Sequence, residues 1–591
     1  MIFPKPHSAV YHSGEYSLKS KYTYANHYEF FQKLKNGNSD IKAIENPLFG
    51  KEEYTIVIDN TGITVTSSCD EGKYRAFTSL FQIIKKSDGK VNECQVHDKP
   101  QFERRAYMLD ISRCRMPKPE TIKKIIDFLS ALKYNEIQLY MEGECFKYSA
   151  YPKYTEAFDC LCGDDIRELD EYCRKRFVDL VPNQNSFGHM SPWLKHEEFR
   201  PLALGDEKGQ SGTINPLIDE SLEFIDNIYS SLLPYFSSEY VNIGLDEAYG
   251  LGRFQMEEYC KIHGNEVAFM EWLQKLDKLT KSKYNKKTMF WGDMIYDGEE
   301  AFDMIPEDSV VLEWGYELIQ SQRMAEHCIK YRDAGLDFYV CPSCNTHLSF
   351  TGRADVTTFN IRTCAEVGAK YGAKGIMITD WGCEEGHPHF GVWSMVPCAL
   401  AGQYGWNVGE EQNGENFKAD FIRNAERFTD EIAFGGAKVS RLLYRMANYY
   451  LLEPERVHVG SMCGQLFKLP LNTTKFNHLY DLKDSGDVFY FDNVTAYVKK
   501  VLSDIEAVDF DESLKREIIL NSRSVILSSE LCKIRLGEKL SAEKINELIK
   551  LCDDIEKEYY ILWCERNYEK GSENFLGQVK SRRDELKNLM K

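Results

Sequence analysis

Short hydrophobic runs alternate with helical patterns through the central half of the chain. The runs cover eight stretches: 106–112, 136–142, 178–184, 241–247, 288–293, 310–314, 337–342 and 375–380. Amphipathic stretches lie between them, such as residues 118–133, where Ile122, Ile125, Ile126 and Leu129 recur at helical spacing. Eight alternating strand and helix units predict a (β/α)8 TIM barrel. A doubly wound sheet is the alternative, and the lack of a glycine-rich phosphate loop after the first strand disfavours it.

The pattern before the barrel predicts a small α+β domain. Ile56 and Ile58, then Ile63 and Val65, alternate with other residues on either side of an Asn-Thr-Gly turn, as two paired strands would. A helix-like stretch, "GKYRAFTSLFQIIKK", follows these strands.

The pattern after the barrel is helical. In "SAEKINELIKLCDDIEKEYYILW" the hydrophobic residues fall on one helix face behind a Ser541 cap, as in a helix bundle. We therefore predict an α/β protein with three domains: a small α/β domain at 1–102, the barrel at 103–405 and a helical domain at 406–591.

Charge and hydropathy narrow the range of partners and compartments. Acidic residues outnumber basic ones by 92 to 73, and the net charge of -19 argues against nucleic acid or an anionic membrane as a partner. The first twenty residues lack the basic flank and apolar core of a secretory signal, and no segment approaches ~18 consecutive apolar residues. We therefore expect a cytoplasmic protein with no membrane partner.

The cysteines indicate neither a disulfide framework nor a metal site. Eighteen cysteines are scattered singly, several of them inside apolar runs, which is typical of reduced core residues. Cys341 and Cys344 have C-x-x-C spacing, but no second pair stands at zinc-ribbon distance. We expect no metal and no cofactor.

Polar and aromatic residues collect where the predicted strands end. In a (β/α)8 barrel the active site lies at the C-terminal ends of the strands. The residues at those ends, in chain order, are Arg113, Glu142, Asn183, His189, Asp246, Glu247, Trp291, Asp293, Trp314, Asn345, His347, Asp380 and Trp381. Tryptophans can stack against the apolar face of a sugar ring, and an arginine can fork to two vicinal hydroxyls. Together these residues predict a carbohydrate pocket.

Each of these residues also has a simpler interpretation. Asp246 could cap the following helix while Glu247 is solvated. The tryptophans could be ordinary core residues, and Arg113 could form a salt bridge with Asp110. The accumulation at successive strand ends, rather than any single residue, favours the sugar site.

The barrel sequence resembles glycoside hydrolase family 20, the β-N-acetylhexosaminidases. The matching stretches, in order, are "YMLDISR", "PNQNSFGH", "IGLDEA", "FWGDM", "LEWG" and "ITDWG" with its following "GH". Within that family the chain looks closest to the cytoplasmic bacterial branch with a helical C-terminal domain. The Asp-Glu pair on the fourth strand is the specific element of the resemblance.

The resemblance implies substrate-assisted retaining hydrolysis at Asp246 and Glu247. The carbonyl oxygen of the substrate's 2-acetamido group would attack the anomeric carbon and form an oxazolinium ion. Glu247 would be the general acid and base, and Asp246 would orient the acetamido group and balance its positive charge. We expect the two side chains to alternate along an extended strand end, and the charge of Asp246 to raise the pKa of Glu247.

The resemblance also implies roles in substrate binding. Arg113 would hold hydroxyls of the terminal sugar, His189 would belong to a charge network in which Glu142 is a candidate partner, and the tryptophan residues would wall the pocket: Trp291, Trp314 and Trp381. The substrate would be an oligosaccharide or glycoconjugate that ends in an N-acetylhexosamine.

The sequence departs from the family pattern in two places. No tyrosine follows the seventh strand to bind the acetamido carbonyl, and the candidates to replace it are Asn345, His347 and a displaced Tyr339. After the eighth strand, Glu384 is the candidate for binding the 4- and 6-hydroxyls, with Glu385 close behind it. The preference between gluco and galacto sugars depends on this corner and stays open, as does the oligomeric state.

Three other functions are open to the same sequence. The O-GlcNAc-removing family 84 also uses the substrate's acetamido group, but with an adjacent pair of aspartates. A metal-dependent barrel hydrolase is suggested by His387 and His389, although such sites usually begin with histidines at the first strand. A catalytically inactive sugar-binding protein is the third, and the intact Asp246 and Glu247 argue against it.

Overall fold

The computed structural model describes residues 2–206, 209–295, 302–409, 414–473, 475–476, 480–481 and 488–591. Within these residues the chain has an N-terminal sheet, a closed barrel and a helical C-terminal region. The predicted fold class is confirmed. The domain boundaries at 102 and 405 stay predictions.

The N-terminal region is one five-stranded sheet covered by two helices. Its strands, in the order in which they lie in the sheet, are Ser8–Ser17, Lys90–Asp98, Tyr54–Asp59, Gly62–Ser67 and Ile41–Glu45. The two strands of the predicted hairpin, Tyr54–Asp59 and Gly62–Ser67, are antiparallel neighbours, with Ile58 opposite Ile63. The helices are His27–Leu34 and Asp70–Lys85, and both bury apolar residues.

Eight parallel strands close into the barrel. In chain order they are Arg104–Asp110, Glu136–Met141, Asp179–Gln184, Tyr240–Asn242, Lys287–Trp291, Val310–Trp314, Asp337–Cys341 and Gly375–Asp380. The eighth strand pairs with the first and the fourth with the third, so no edge is left open. This closure brings all eight C-terminal strand ends to one mouth.

Helices return the chain between the barrel strands. The longer ones in the described part are Pro119–Ala131, Gly163–Arg174, Asp219–Leu232, Asn265–Tyr284, Gln320–Asp333, Ala354–Tyr371 and, after the eighth strand, Met395–Trp406. Two shorter helices, Ser191–Leu194 and Glu257–His263, flank the fourth strand. A two-stranded sheet of Ala203–Asp206 and Gly209–Ile214 also lies between the third and fourth barrel strands. The sequence pattern did not predict it, because these short strands of four and six residues contain three glycines and lack a clear alternation.

The C-terminal region is helical and has its own core. Its helices are Gly414–Ala433, Ser440–Met446, Met462–Phe467, Val488–Glu506, Glu512–Arg535, Ala542–Arg566 and Ser572–Asn588. The predicted cap is present, since the Ser541 hydroxyl accepts a hydrogen bond from the Lys544 amide. Phe350, Phe390 and Trp393 of the barrel loops pack into the same core, which fixes the helices against the barrel.

Two observations bear on the composition-based expectations. All eighteen cysteines are free, and fourteen of them are buried, as expected for reduced core residues. Among the helices that the structure describes, none is both long and apolar enough to cross a bilayer. The cytoplasmic location stays a prediction.

Candidate active site

Asp246 and Glu247 lie at the barrel mouth, just after the fourth strand. Asp246 is buried, with one carboxylate oxygen that has no hydrogen-bond partner among the described residues. The Glu247 side chain is 34% exposed. Asp246 can therefore accept a hydrogen bond from a ligand that covers it, while Glu247 still contacts water.

The backbone under these two acids is not an extended strand. The fourth strand ends at Asn242, and Gly244, Leu245 and Glu247 all have positive φ angles of 75°, 77° and 49°. The predicted alternation of the two side chains along a strand is therefore wrong. Left-handed residues turn the chain sharply, and such strain concentrates at functional sites.

Two glycines make this turn possible. A Cβ atom at Gly244 would lie 1.7 Å from the Asn185 side-chain oxygen, and one at Gly188 would lie 2.1 Å from the Asp246 carbonyl. The loop after the third strand therefore packs directly against the backbone of the acid pair. This close approach brings His189 to the two carboxylates.

His189 links three carboxylates. Its Nε2 lies 3.4 Å from Asp246 and 3.2 Å from Glu247, and its Nδ1 lies 3.4 Å from Glu142. Burial alone would lower the pKa of His189, but the charge of Asp246 and the contacts with both acids outweigh burial and raise the pKa to about 11. The imidazole is therefore an imidazolium at neutral pH, and the expected pairing with Glu142 is present in the geometry.

The same contact reverses the expected pKa shift of Glu247. The His189 imidazolium lowers the pKa of Glu247 below its ordinary value, and this outweighs the opposing effect of partial burial. The raised pKa of Glu247 was predicted from the charge of its sequence neighbour Asp246 alone. The nearest charge in space is a cation, and opposite charges at this distance favour the ionised carboxylate.

A third acid, Asp293, supports the pair from the fifth strand end. Its Oδ2 accepts a hydrogen bond of 3.0 Å from the Glu247 amide. Burial, followed by the charge of Asp246, raises the pKa of Asp293 to about 7. From the sequence, Asp293 was placed at a strand end and given no role. In the structure its carboxylate fixes the position of the Glu247 backbone through this hydrogen bond.

Arg113 and Glu384 form the opposite wall of the mouth. Arg113 pairs with Glu142 at 2.8 Å and lies 3.6 Å from the exposed carboxylate of Glu384. Glu385 turns away and pairs with Lys468 of the helical region at 2.6 Å. Of the two candidate acids, only Glu384 therefore lies beside Arg113.

Aromatic residues form the top layer of the barrel interior. Trp291, Trp314 and Trp381 belong to one cluster inside the barrel, with Trp291 and Trp381 6.1 Å apart between ring centroids. Arg113 lies 4.8 Å over the Trp381 ring. The three predicted tryptophans thus come together, Trp291 almost fully buried and Trp314 partly exposed.

Tyr316 is a site residue that the sequence pattern did not single out. Its ring stacks on Trp314 at 5.1 Å, and its hydroxyl accepts a hydrogen bond of 2.8 Å from Trp381 Nε1. Burial and nearby groups that include Asp246 raise the pKa of Tyr316, so its hydroxyl keeps its proton. A signal was available, because Tyr316 stands two residues after Trp314 in "LEWGY".

Of the three residues proposed in place of a tyrosine after the seventh strand, Asn345 and Tyr339 have side chains engaged elsewhere, whereas the buried His347 Nδ1 has no hydrogen-bond partner among the described residues. Asn345 is fully buried, and its side-chain oxygen accepts a hydrogen bond from Arg353. The Tyr339 hydroxyl donates to Glu136, which opens the second strand at the other end of the barrel. His347 lies 6.0 Å from Tyr316 between ring centroids, and burial lowers its pKa to about 3. The placement of Asn345 and Tyr339 corrects the prediction, because a position in the chain does not reveal which way a side chain turns.

The helical region closes one side of the mouth. A Cβ at Gly571 would lie 1.9 Å from the Cys114 carbonyl, and the Asn574 amide donates to the Cys114 sulfur at 2.9 Å. Gln578 donates to the Glu385 carbonyl at 2.5 Å. The loops that carry Arg113 and Glu384 are thus supported from outside the barrel.

His387 and His389 do not face this mouth. Both rings are 1% exposed, and the Tyr559 hydroxyl of the helical region donates to the His387 carbonyl at 2.6 Å. They lie in the wall of a separate cavity of about 930 Å³, which is lined by neither Asp246 nor Glu247. The metal-dependent hydrolase considered from the H-x-H spacing therefore has no histidine pair at the sugar site.

Two family models match the chain. "Glycosyl hydrolase family 20, catalytic domain" matches residues 102–374, and "Glycosyl hydrolase family 20, domain 2" matches residues 24–99. Beta-hexosaminidase A of Caenorhabditis elegans is 24% identical over 296 residues, which are 45% of this chain and 52% of that protein. This chain thus spans about half the length of that curated relative, and 40% of the length of two others that it matches.

Solved structures share the fold at low sequence identity. Flavobacterium johnsoniae chitobiase has a TM-score of 0.57 at 15% identity, covering 98% of this chain and 99% of its own. The exo beta-N-acetylglucosaminidase of Vibrio harveyi, solved in complex with N-acetylglucosamine, has a TM-score of 0.56 at 17% identity, covering 72% and 76%. The first match includes the helical region. With the two family models covering more than half of its length, this chain belongs to glycosyl hydrolase family 20.

Proposed function

We propose that this protein is an exo-acting, retaining β-N-acetylhexosaminidase that works by substrate-assisted catalysis. Its substrate is a glycan that ends in N-acetylglucosamine or N-acetylgalactosamine. The observation that carries the proposal is the pair of adjacent acids, Asp246 buried and Glu247 partly exposed, under an aromatic layer at the barrel mouth.

The first chemical step forms a bond within the substrate. The acetamido carbonyl oxygen attacks the anomeric carbon while the bond to the leaving-group oxygen breaks, and Glu247 gives that oxygen its proton. The product is an oxazolinium ion. The buried oxygen of Asp246 that lacks a partner is suited to accept the acetamido N–H and to balance the positive charge.

The second step reverses the proton movement. Glu247, now ionised, takes a proton from a water molecule, and the water oxygen attacks the same anomeric carbon as the oxazolinium ring opens. Two inversions give net retention. The exposed third of the Glu247 side chain provides the water access that this step needs.

Tyr316 is the group we assign to the acetamido carbonyl. Its hydroxyl accepts a hydrogen bond from Trp381 and also contacts the Thr379 side chain, and a hydroxyl that accepts from Trp381 keeps a proton that it can turn towards the substrate. A donor to the carbonyl oxygen holds the acetamido group in the orientation that attack requires. The tyrosine would thus come from the sixth strand end rather than the seventh.

Arg113 and Glu384 are suited to bind the outer hydroxyls of the terminal sugar. A guanidinium and a carboxylate 3.6 Å apart offer donors and acceptors side by side, so a sugar hydroxyl can bind both. The choice between gluco and galacto epimers would be made at this pair.

The low pKa of Glu247 in the empty site has a consequence for catalysis. The general acid must be protonated, but His189 favours its ionised form. A bound sugar would cover the exposed part of Glu247, and loss of water raises the pKa of a carboxylate. Substrate binding and protonation of Glu247 are therefore coupled in this proposal.

The test is hydrolysis by Glu247→Gln of two β-N-acetylglucosaminides that differ in their leaving group. On an alkyl glycoside, whose leaving group needs a proton, we expect a loss of about a hundred- to ten-thousandfold in kcat/KM. On a nitrophenyl glycoside, whose leaving group needs none, the loss should be smaller. Equal losses on both would assign Glu247 another role, and wild-type protein inactive on both would reject the proposal.

A further inference from the structure

Three side chains with metal-binding atoms meet in the loop after the eighth strand. The Cys383 sulfur and one ring nitrogen each of His387 and His389 all lie within 4.8 Å of one another. All three residues are buried, at 4%, 1% and 1% exposure. This cluster, which we call the Cys-His-His cluster, lies outside the sugar site and has no part in the proposed reaction.

The two imidazoles in the cluster lack hydrogen bonds of good geometry. None of their four ring nitrogens has such a partner within the described residues. The His389 backbone acts on the His387 ring, and the Ser349 backbone on the His389 ring, only as weak hydrogen-bond partners that oppose the effect of burial on the pKa values. Buried polar atoms without partners are rare and costly in folded proteins, and a bound ion or water molecule commonly satisfies such atoms.

The protonation states fit a metal ion. Burial lowers the pKa of His389 to about 3 and also lowers the pKa of His387 well below its ordinary value, so both rings are neutral, which is the form that binds metals. Burial raises the pKa of the Cys383 thiol, but a coordinating cation would displace its proton. The Leu348 amide already donates to the Cys383 sulfur at 3.2 Å, as amides around metal-bound thiolates do.

We propose that Cys383, His387 and His389 bind a Zn²⁺ ion, with a water molecule as the fourth ligand. One thiolate and two imidazoles are a donor set that zinc prefers, with bonds of about 2.3 Å to sulfur and 2.0–2.1 Å to nitrogen. These bonds require the three atoms to draw slightly closer than they lie now. The cavity of about 930 Å³ reaches both rings and provides a path for the ion and its water.

The ion would hold the loop after the eighth strand in one conformation, and this loop joins the mouth of the barrel to the helical region. Trp381 and Glu384 flank Cys383 in the same loop. Beyond them, the Tyr559 hydroxyl donates to the His387 carbonyl and the Asn521 amide donates to the Pro388 carbonyl, each at 2.6 Å. The ion therefore has a structural role that does not depend on the sugar chemistry.

Metal analysis of the purified, untagged chain tests the proposal. We expect about one zinc ion per chain in the wild type and at least about a tenfold lower content in Cys383→Ser and His387→Asn. Cys260→Ser is the matched control, because it removes a buried thiol that belongs to none of the described metal-binding groups, and it should keep its zinc. His189→Gln should also keep it, which separates the Cys-His-His cluster from the group formed by Glu142, His189 and Glu384.

Cobalt replacement keeps the test valid if a variant fails to fold. Wild-type protein freed of metal and reloaded with Co²⁺ should show the visible bands of four-coordinate cobalt and a thiolate-to-cobalt charge-transfer band. Metal removal should also lower Tm, because an ion that binds only the folded state stabilises it. A wild type with neither zinc nor a cobalt thiolate band, or a folded Cys383→Ser that retains zinc, would overturn the proposal.

Discussion

Removal of the Tyr316 hydroxyl should reduce turnover while leaving the protein folded. In Tyr316→Phe the Trp381 Nε1, in a residue that is 7% exposed, loses the one acceptor that it has among the described residues, at 2.8 Å. An unsatisfied buried donor costs about 1–3 kcal/mol of folding free energy. This change leaves a protein of 591 residues folded and measurable.

The effect on the reaction should appear in kcat because the hydrogen bond would strengthen as charge develops. A hydrogen bond to a charged group contributes about 1.5–3 kcal/mol. If the variant loses this free energy only in the transition state, kcat should fall by about 10- to 150-fold, and KM should change much less. The assay is steady-state hydrolysis of nitrophenyl N-acetyl-β-glucosaminide beside a thermal unfolding measurement.

Tyr134→Phe is the matched control. The Tyr134 hydroxyl is also buried and donates a hydrogen bond of 2.8 Å, to the Cys398 carbonyl, away from the mouth. The Tyr134→Phe substitution should lower Tm by about as much as Tyr316→Phe does, but it should leave kcat unchanged. The assignment of Tyr316 is refuted if its variant keeps kcat within about threefold of wild type, or if both variants lose kcat equally.

Two further predictions concern the charges around the mouth. In the free protein His189 lowers the pKa of Glu247, and since the general acid must be protonated, kcat/KM should fall as pH rises through that lowered pKa. His189→Gln removes the cation and should move this alkaline limb to higher pH; a limb that stays or moves to lower pH contradicts the coupling. Glu384→Gln should raise KM by about tenfold or more. Glu385→Gln is its control, because it breaks only an exposed pair with Lys468 and should leave KM unchanged. Equal effects of the two substitutions on KM would reject Glu384 as the sugar-binding acid.

The barrel could be predicted from sequence because its signal is periodic. Strands buried on both faces appear as short apolar runs, and the helices between them show a 3.6-residue repeat. Each of the eight runs overlaps a barrel strand. The fourth run was predicted to extend to Glu247, but the strand ends at Asn242, because the positive φ angle of Leu245 is a tertiary property with no local sequence signal.

The candidate site was predictable in its residue types more than in its contacts. The position of Asp246, Glu247 and the tryptophans at strand ends follows from the strand pattern alone. The contact of His189 with Glu247 reverses a pKa shift and depends on the loop after the third strand, which packs at Gly188. Neither a distance across the barrel nor the direction of a side chain such as Tyr339 is encoded in local periodicity.

The identity of the nucleophile is the central claim, and one rate series tests it directly. The substrates are N-acetyl, monofluoroacetyl, difluoroacetyl and trifluoroacetyl glucosaminides of nearly equal size with the same leaving group. If the acetamido oxygen attacks, fluorine withdraws electrons from it, and kcat/KM should fall steadily along the series. A flat series, together with a 2-fluoro sugar trapped as a covalent ester on Asp246 or Glu247, would show that an enzyme carboxylate is the nucleophile and would contradict the account.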